Sequence, residues 1–439
     1  IRSRSLDLME NISVNNLVEE FESSLPREIS ISIAKNILNS KISKENAISE
    51  YKKNIGLLEK KIQRQVINCT GTLLHTNLGR AQINPRFTGG ASNIEYDLDQ
   101  HKRGERNEYL TSSMNLLLNS ENVCFVNNNA AALFITLSTV KNSSNIKNVI
   151  ISRGEIIEIG GSYRLPEIIE SSGLKLQEVG TTNKTDIKDY EKALKSNPDS
   201  ILLKVHRSNF SIKGFTKEVS IKELKTLSTK YNAHLFHDLG SGLVIDRNFL
   251  EAKEIDIFNS EPTVQESLED GSDLVMFSGD KLFGSVQSGI IAGKENLVKE
   301  IKNDPLFRTY RCSPLILFEL QNTVNKYIDK NEMSIPIWSS LLMKYEELLA
   351  RVDDISKKIS IDHKIFDSES LIGGGTMPDK KLLTPAIGIP SKNIDEDLRI
   401  LSNQEIPLIP RISEDKIIID VRSCPVEDDE KIIELLNKL

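Results

Sequence analysis

Apolar positions change their spacing along the chain. Leu17, Phe21 and Leu25, then Ala34, Ile37 and Leu38, recur at the three-to-four-residue interval of a helix face. Glu45–Arg64 reads as a charged amphipathic helix ending in Lys60, Lys61 and Arg64. From about residue 120 the pattern turns to short apolar runs: Asn122–Val126, Asn148–Ser152, Leu174–Val179, Ser200–His206, Ala233–Asp238, Ser272–Phe277 and Ser288–Ala292. Most are rich in Val, Ile and Leu, as strands buried on both faces should be. Helix-length stretches such as Ile221–Tyr231 separate them. This alternation predicts an α/β fold built on a doubly wound, mostly parallel seven-stranded sheet. Beyond residue 312 helices and strands mix around Gly373-Gly374-Gly375, closing with a strand over Lys416–Val421 and a helix over Asp428–Leu439. The expected organisation is a helical N-terminal domain over 1–65, a large α/β domain over 66–312 and a smaller C-terminal α+β domain over 313–439.

A length of 439 residues suits such a multidomain chain. With 38% hydrophobic and 27% charged residues, composition is that of an ordinary soluble protein. No apolar run reaches the ~18 residues a membrane-spanning helix needs, so no membrane role is expected. Ile1–Glu10 carries charge without a following apolar core, so no secretory signal is expected. The four cysteines, Cys69, Cys124, Cys312 and Cys424, are scattered without a CxxC pair. That argues against a metal site and a disulfide framework, and for the cytoplasm. Net charge is −7, yet residues 1–64 hold eleven Lys/Arg against nine Asp/Glu. Nucleic-acid backbones are met by local patches rather than by net charge.

The polar motifs fall at strand ends, where ligands sit in open α/β sheets. Phe277-Ser278-Gly279-Asp280-Lys281 follows an apolar strand. A lysine there can form an imine with an aldehyde cofactor if its pocket lets the amine lose a proton, and Ser278 can bond a phosphate. Alone this is a weak signal, and a surface lysine after a strand is the commoner case. His237-Asp238-Leu239-Gly240 closes the preceding strand. A buried carboxylate facing a pyridine nitrogen keeps that nitrogen protonated and makes the ring an electron sink. An aspartate on one strand and a lysine on the next suggest pyridoxal 5'-phosphate. Asn128, Asn129 and Ala130 open a helix after the first strand, a position suited to the cofactor phosphate. Asn209 can donate to the cofactor's phenolic oxygen, and His206 reads either as a cofactor contact or as a core histidine. Arg80, Arg103, Arg106, Arg308 and Arg311 could hold a phosphate-like co-substrate, with Arg308 and Arg311 on one helix face. Taken singly, each reads as a salt-bridge partner.

Longer stretches carry a resemblance. Asn68–Ala81 (NCTGTLLHTNLGRA), Asn93–Arg106 (NIEYDLDQHKRGER), Val126–Ala132, Ile151–Arg164, Glu178–Thr185, Leu203–Thr216, Asp238–Gly242 and Glu261–Lys294 make the chain similar to the bacterial L-seryl-tRNA(Sec) selenium transferases. Matching segments run from about 66 to 315, with weaker echoes at Gly373–Gly375 and Arg422. The resemblance implies the PLP-dependent transferase fold type I, like aspartate aminotransferase, with a helical N-terminal domain that grips tRNA(Sec). It implies that Lys281 is the cofactor lysine and Asp238 the pyridine-nitrogen partner. Arg80, Arg308 and Arg311 would line a selenophosphate site beside Asp280. The implied reaction is β-elimination of the seryl hydroxyl through an aminoacrylyl-tRNA, followed by addition of selenium. Dimers assembled into a ring are implied as well. The chain departs from the family pattern at Arg207, at Gln100-His101 and at Cys312-Ser313-Pro314.

Two other readings stand beside this one. A relative acting on a small molecule, such as an ammonia-lyase of an amino-sugar phosphate, should lack the module over 1–65. A non-catalytic tRNA-binding protein should lack Lys281 or the arginines.

Overall fold

The computed structural model describes residues 13–40, 43–85, 90–159, 163–253 and 255–439; the start of the expected N-terminal segment, residues 1–12, lies outside them. The chain packs as two compact units. One holds the described residues up to Ile67 with Asn393–Ile409 and Lys438–Leu439, and the other holds Asn68–Lys392 and Pro410–Asn437.

The first unit contains helices Val14–Glu20, Arg27–Asn39 and Lys44–Glu59. Leu17, Leu25, Ala34, Ile37, Ala47, Tyr51 and Ile55 form its core, so the helical spacing of apolar positions translates into packing. The third helix stops at Glu59 instead of running to Arg64. Lys60 N–H donates to Gly56 O and Lys61 N–H to Leu58 O, tightening the last turn. Glu59 turns back to accept from Ser24 N (2.7 Å) and Ser23 Oγ (2.9 Å). Ile67 N–H donates to Pro407 O (2.8 Å), which ties the later segment to this unit.

The second unit is built on seven strands: β1 Asn122–Val126, β2 Asn148–Ser152, β3 Lys175–Val179, β4 Ser200–Val205, β5 His234–Gly240, β6 Leu274–Ser278 and β7 Gly289–Gly293. Their spatial order is β1-β7-β6-β5-β4-β2-β3. Strand β7 runs antiparallel to both neighbours, and the other pairs are parallel. Alternate residues serve two cores. Val123, Phe125, Val275, Phe277 and Ile290 pack in one, while Cys124, Val126, Leu274, Met276 and Ile291 pack in the other. Helix Asn129–Ser143 covers the second core. Each fully buried side chain of this kind is worth roughly 1.5–3 kcal/mol, which is why both faces read as apolar.

Strand β5 runs two residues beyond the expected end at Asp238. Asp238 aligns with Met276 but Gly240 with Phe277, so a bulge at Leu239 lets pairing continue past the carboxylate. Strand β4 stops at Val205, although His206 N–H still reaches Asp238 O (2.9 Å). The C-terminal half adds helix Pro314–Ile328 and antiparallel strands β8 Lys364–Gly373, β9 Thr376–Pro390, β10 Leu408–Ser413 and β11 Lys416–Ile419, paired in the order β10-β11-β9-β8.

Candidate active site

Lys281 and Asp238 stand at the ends of adjacent strands, and the backbone joins their loops. Leu282 N–H donates to Ser241 O (3.0 Å), while Gly284 N–H donates to Lys281 O (2.9 Å) and closes the turn. Both side chains are buried, at 6% and 5% exposure. Burial pushes the Lys281 amine below its usual value, and the Arg80 charge adds to this; Asp238, Asp280 and Glu261 pull the other way. Burial raises the Asp238 carboxyl, against a hydrogen bond from Asn129 and the charges of Lys281 and His206.

Gly240 shows what lies between them. A Cβ there would sit 3.7 Å from Ser208 Oγ, 3.8 Å from Lys281 Nζ and 3.9 Å from Asp238 Oδ1. An amine, a carboxylate and a hydroxyl therefore face one gap, which glycine leaves open at φ +68°. This donor set fits pyridoxal 5'-phosphate, with the amine for its aldehyde and the carboxylate for its ring nitrogen. Asn129 Oδ1 and Asn209 Oδ1, both buried, have no protein partner.

The other expected residues divide. Asn128 caps helix Asn129–Ser143 by accepting from Ala131 N (2.9 Å), so Asn129 and Ala130 occupy the turn where helix N–H groups lack intrahelical partners. Asn129 Nδ2 donates to Asp238 Oδ1 (2.7 Å). Ser278 ends β6 and is buried. Asn209 Nδ2 donates to Glu158 O (3.2 Å), while neighbouring Ser208 faces the gap. His206 Nε2 meets Glu261 Oε2 at 3.0 Å. Arg80, itself at φ +63°, pairs with Asp280 Oδ2 at 2.8 Å, which brings it beside Lys281.

Arg308 and Arg311 line a cavity of about 800 Å³ with Arg103, Arg106 and Glu95, a group distinct from the Gly240 gap. Glu95 Oε1 meets Arg106 at 2.8 Å and Arg311 at 3.5 Å, and Arg103 reaches Oε2 at 3.1 Å. The two arginines do not share a helix face. The helix is only Phe307–Tyr310, and Arg311 is extended at φ −60°, ψ 135°. Asn127 N–H bonds Tyr310 O (3.0 Å), so this segment lies against the end of β1 and the Asn128–Ala130 turn.

Ser208, Tyr163 and Glu261 are neighbours of the site that motif reading did not single out. Tyr163 is held well above the usual phenol range by burial and by the Asp238 charge. Glu261 Oε1 is buried without a partner. The departures from the family pattern are accommodated locally. Arg207 pairs with Glu218, and Ser313 with Pro314 starts helix Pro314–Ile328. Asp97 Oδ1 accepts from Asp99 N and Gln100 N, and His101 takes the left-handed conformation.

Comparison with known proteins shows the family of the chain. A family profile described as L-seryl-tRNA selenium transferase matches residues 66–425. The L-seryl-tRNA(Sec) selenium transferase of Aliarcobacter butzleri is 40% identical over 421 residues, 92% of this chain and 90% of that protein. The protein of the same name from Aquifex aeolicus is 36% identical over 448 residues, 97% of each. Among solved structures, D-glucosaminate-6-phosphate ammonia-lyase superposes with a TM-score of 0.58 over 86% of this chain and 95% of that one. At 16% identity the likeness is one of fold.

Proposed function

The chain belongs to the L-seryl-tRNA(Sec) selenium transferase family, whose members are enzymes dependent on pyridoxal 5'-phosphate, and on that premise we propose how its own residues carry the reaction. The seryl group of seryl-tRNA(Sec) loses its Cα proton and β-hydroxyl as water, leaving a tRNA-borne aminoacrylyl group whose β-carbon takes selenium from selenophosphate as the Se–P bond is hydrolysed and phosphate departs. The observation that carries this reading is the convergence of Lys281 Nζ and Asp238 Oδ1 on the Gly240 gap.

When bound, pyridoxal 5'-phosphate supplies an aldehyde and a protonated ring that draws electrons from the seryl Cα. Lys281 Nζ would hold the cofactor's aldehyde, and as a neutral amine it would accept the Cα proton of the seryl group. Its lowered pKa suits both tasks, because the neutral amine is the reactive form. Asp238, with Asn129 on one oxygen, would hold the proton on the ring nitrogen. The turn at Asn128, Asn129 and Ala130, with Ser278, receives the phosphate. His206 and Asn209 would stand beside the ring.

Arg80, fixed by Asp280, and Arg308 with Arg311 offer forked N–H donors to selenophosphate. The segment 1–65 is the tRNA module, 66–312 the cofactor domain and 313–439 the small domain. Subunits pair as dimers, assembled into a ring, in the cytoplasm. Among the described residues no helix is long and apolar enough to cross a membrane.

The test is conversion of seryl-tRNA(Sec) and selenophosphate to selenocysteinyl-tRNA by the pure protein loaded with pyridoxal 5'-phosphate. Activity in the native chain and none in Lys281→Ala is expected. Turnover of free serine or an amino-sugar phosphate with seryl-tRNA ignored would overturn the reading.

A further inference from the structure

Ser208 is 3% exposed, and its hydroxyl faces the same gap as Lys281 and Asp238. Its protein acceptor is Gly375 O at 3.3 Å, long for an O–H···O bond, so the hydroxyl is weakly engaged. Met377 N–H donates to Ser208 O (2.8 Å) from a left-handed residue, φ +53°. The turn Gly373–Gly375 between β8 and β9 thus meets the Ser208 hydroxyl through Gly375 O, and Met377, the second residue of β9, holds the Ser208 backbone.

That turn has a seat of its own. Leu73 and Leu74 N–H groups donate to Leu371 O (3.0 Å) and Ile372 O (2.7 Å). A Cβ on Gly373 would come within 2.9 Å of Leu74 Cβ and 3.0 Å of Leu74 O, whereas one on Gly374 would meet nothing within 4 Å.

Strand order fixes which side of the cofactor Ser208 can meet. The phosphate arm and the phenolic oxygen of pyridoxal 5'-phosphate leave from opposite flanks of the line joining aldehyde carbon to ring nitrogen. Asn128–Ala130 follow β1, on one side of β5, and Ser208 follows β4, on the other. With Lys281 and Asp238 at the two ends and the phosphate toward Asn128–Ala130, the phenolic oxygen falls on the Ser208 flank.

We propose that Ser208 is the hydrogen-bond partner of the cofactor's phenolic oxygen and that the Gly373–Gly375 turn is the device that positions it. The assignment rests on the cofactor reading above. It transfers to Ser208 a contact that motif spacing gave to Asn209, and it gives the glycine triplet a task in cofactor binding.

Titration of the cofactor-free protein with pyridoxal 5'-phosphate, followed by its visible absorbance at several pH values, tests this. Ser208→Ala should weaken uptake about tenfold and move the pH midpoint of the band, with the thermal midpoint of the cofactor-free protein unchanged. Ser208→Thr, which keeps the hydroxyl, should load like the native chain. Gly373→Ala should weaken uptake in the same sense, and Gly374→Ala should not. Native affinity and midpoint in Ser208→Ala would overturn the proposal, and so would a Thr variant that binds no better than Ala if the Ala variant is also less stable. Native loading by Gly373→Ala would overturn the role of the turn. A native chain that shows no band at any pH overturns the cofactor reading itself, and this inference with it.

Discussion

Asn129 Nδ2 donates a 2.7 Å hydrogen bond to Asp238 Oδ1, joining the first turn of helix Asn129–Ser143 to the end of β5. Burial alone would favour the neutral acid at Asp238, and the amide is the largest influence opposing it. Asn129→Ala should therefore raise the pH at which Asp238 takes up a proton. Its affinity for pyridoxal 5'-phosphate should fall about tenfold or more, as loss of a hydrogen bond to a charged group implies. Absorbance titration across pH checks both.

Arg80→Ala should act on two neighbours. It leaves the Asp280 carboxylate buried without its 2.8 Å partner, a cost of about 2–3 kcal/mol, less than for a fully buried pair because Arg80 is partly exposed. It also removes a positive charge that holds Lys281 down, so the amine's pKa rises. The pH midpoint for cofactor uptake should then move upward, measured as rate of loading against pH, alongside a urea midpoint for stability.

Gly240→Ala places a methyl group in the gap, under 4 Å from Lys281 Nζ and Asp238 Oδ1. The left-handed backbone at φ +68° adds about 1–2 kcal/mol of strain. The variant should fold with a lowered thermal midpoint and take up no pyridoxal 5'-phosphate. Full loading would show that the gap is not where the ring sits.

Arg247 grips Glu266 with Nε and Nη2, both at 2.8 Å, and also the carbonyls of Phe258 and Glu261, so it fixes the loop that presents Glu261. The guanidinium brings the Glu266 carboxyl down to about 2. A depressed carboxyl contributes stability above its unfolded value of about 4.3, and that contribution is lost as pH falls toward about 2. Glu266→Gln should cost about 1 kcal/mol at neutral pH, a modest figure because the side chain is partly exposed, and nothing near pH 2. Urea midpoints of both proteins at several pH values give the comparison.

Lys281 and Asp238 were legible because Asp238 closes a largely apolar run and Lys281 follows the end of the next, and parallel strands bring such ends together. The division of labour among Asn128, Asn129 and Ala130 was not, since a bond between positions 129 and 238 has no local signature. The same holds for Ser208, whose role depends on a turn more than 160 residues later. Arg308 and Arg311 have helical spacing, yet Ser313 and Pro314 start the next helix immediately after and Arg311 is left extended. Past Glu59 the charges of Lys60, Lys61 and Arg64 keep a helical rhythm without apolar contacts to anchor it, so the helix ends.

The most direct measurement is to load the pure chain with pyridoxal 5'-phosphate, reduce it with borohydride and map the tagged peptide by mass spectrometry. A single tag on Lys281 is expected, absent in Lys281→Ala and reduced in Asp238→Ala. A tag on another lysine, or a protein that carries none, would contradict it.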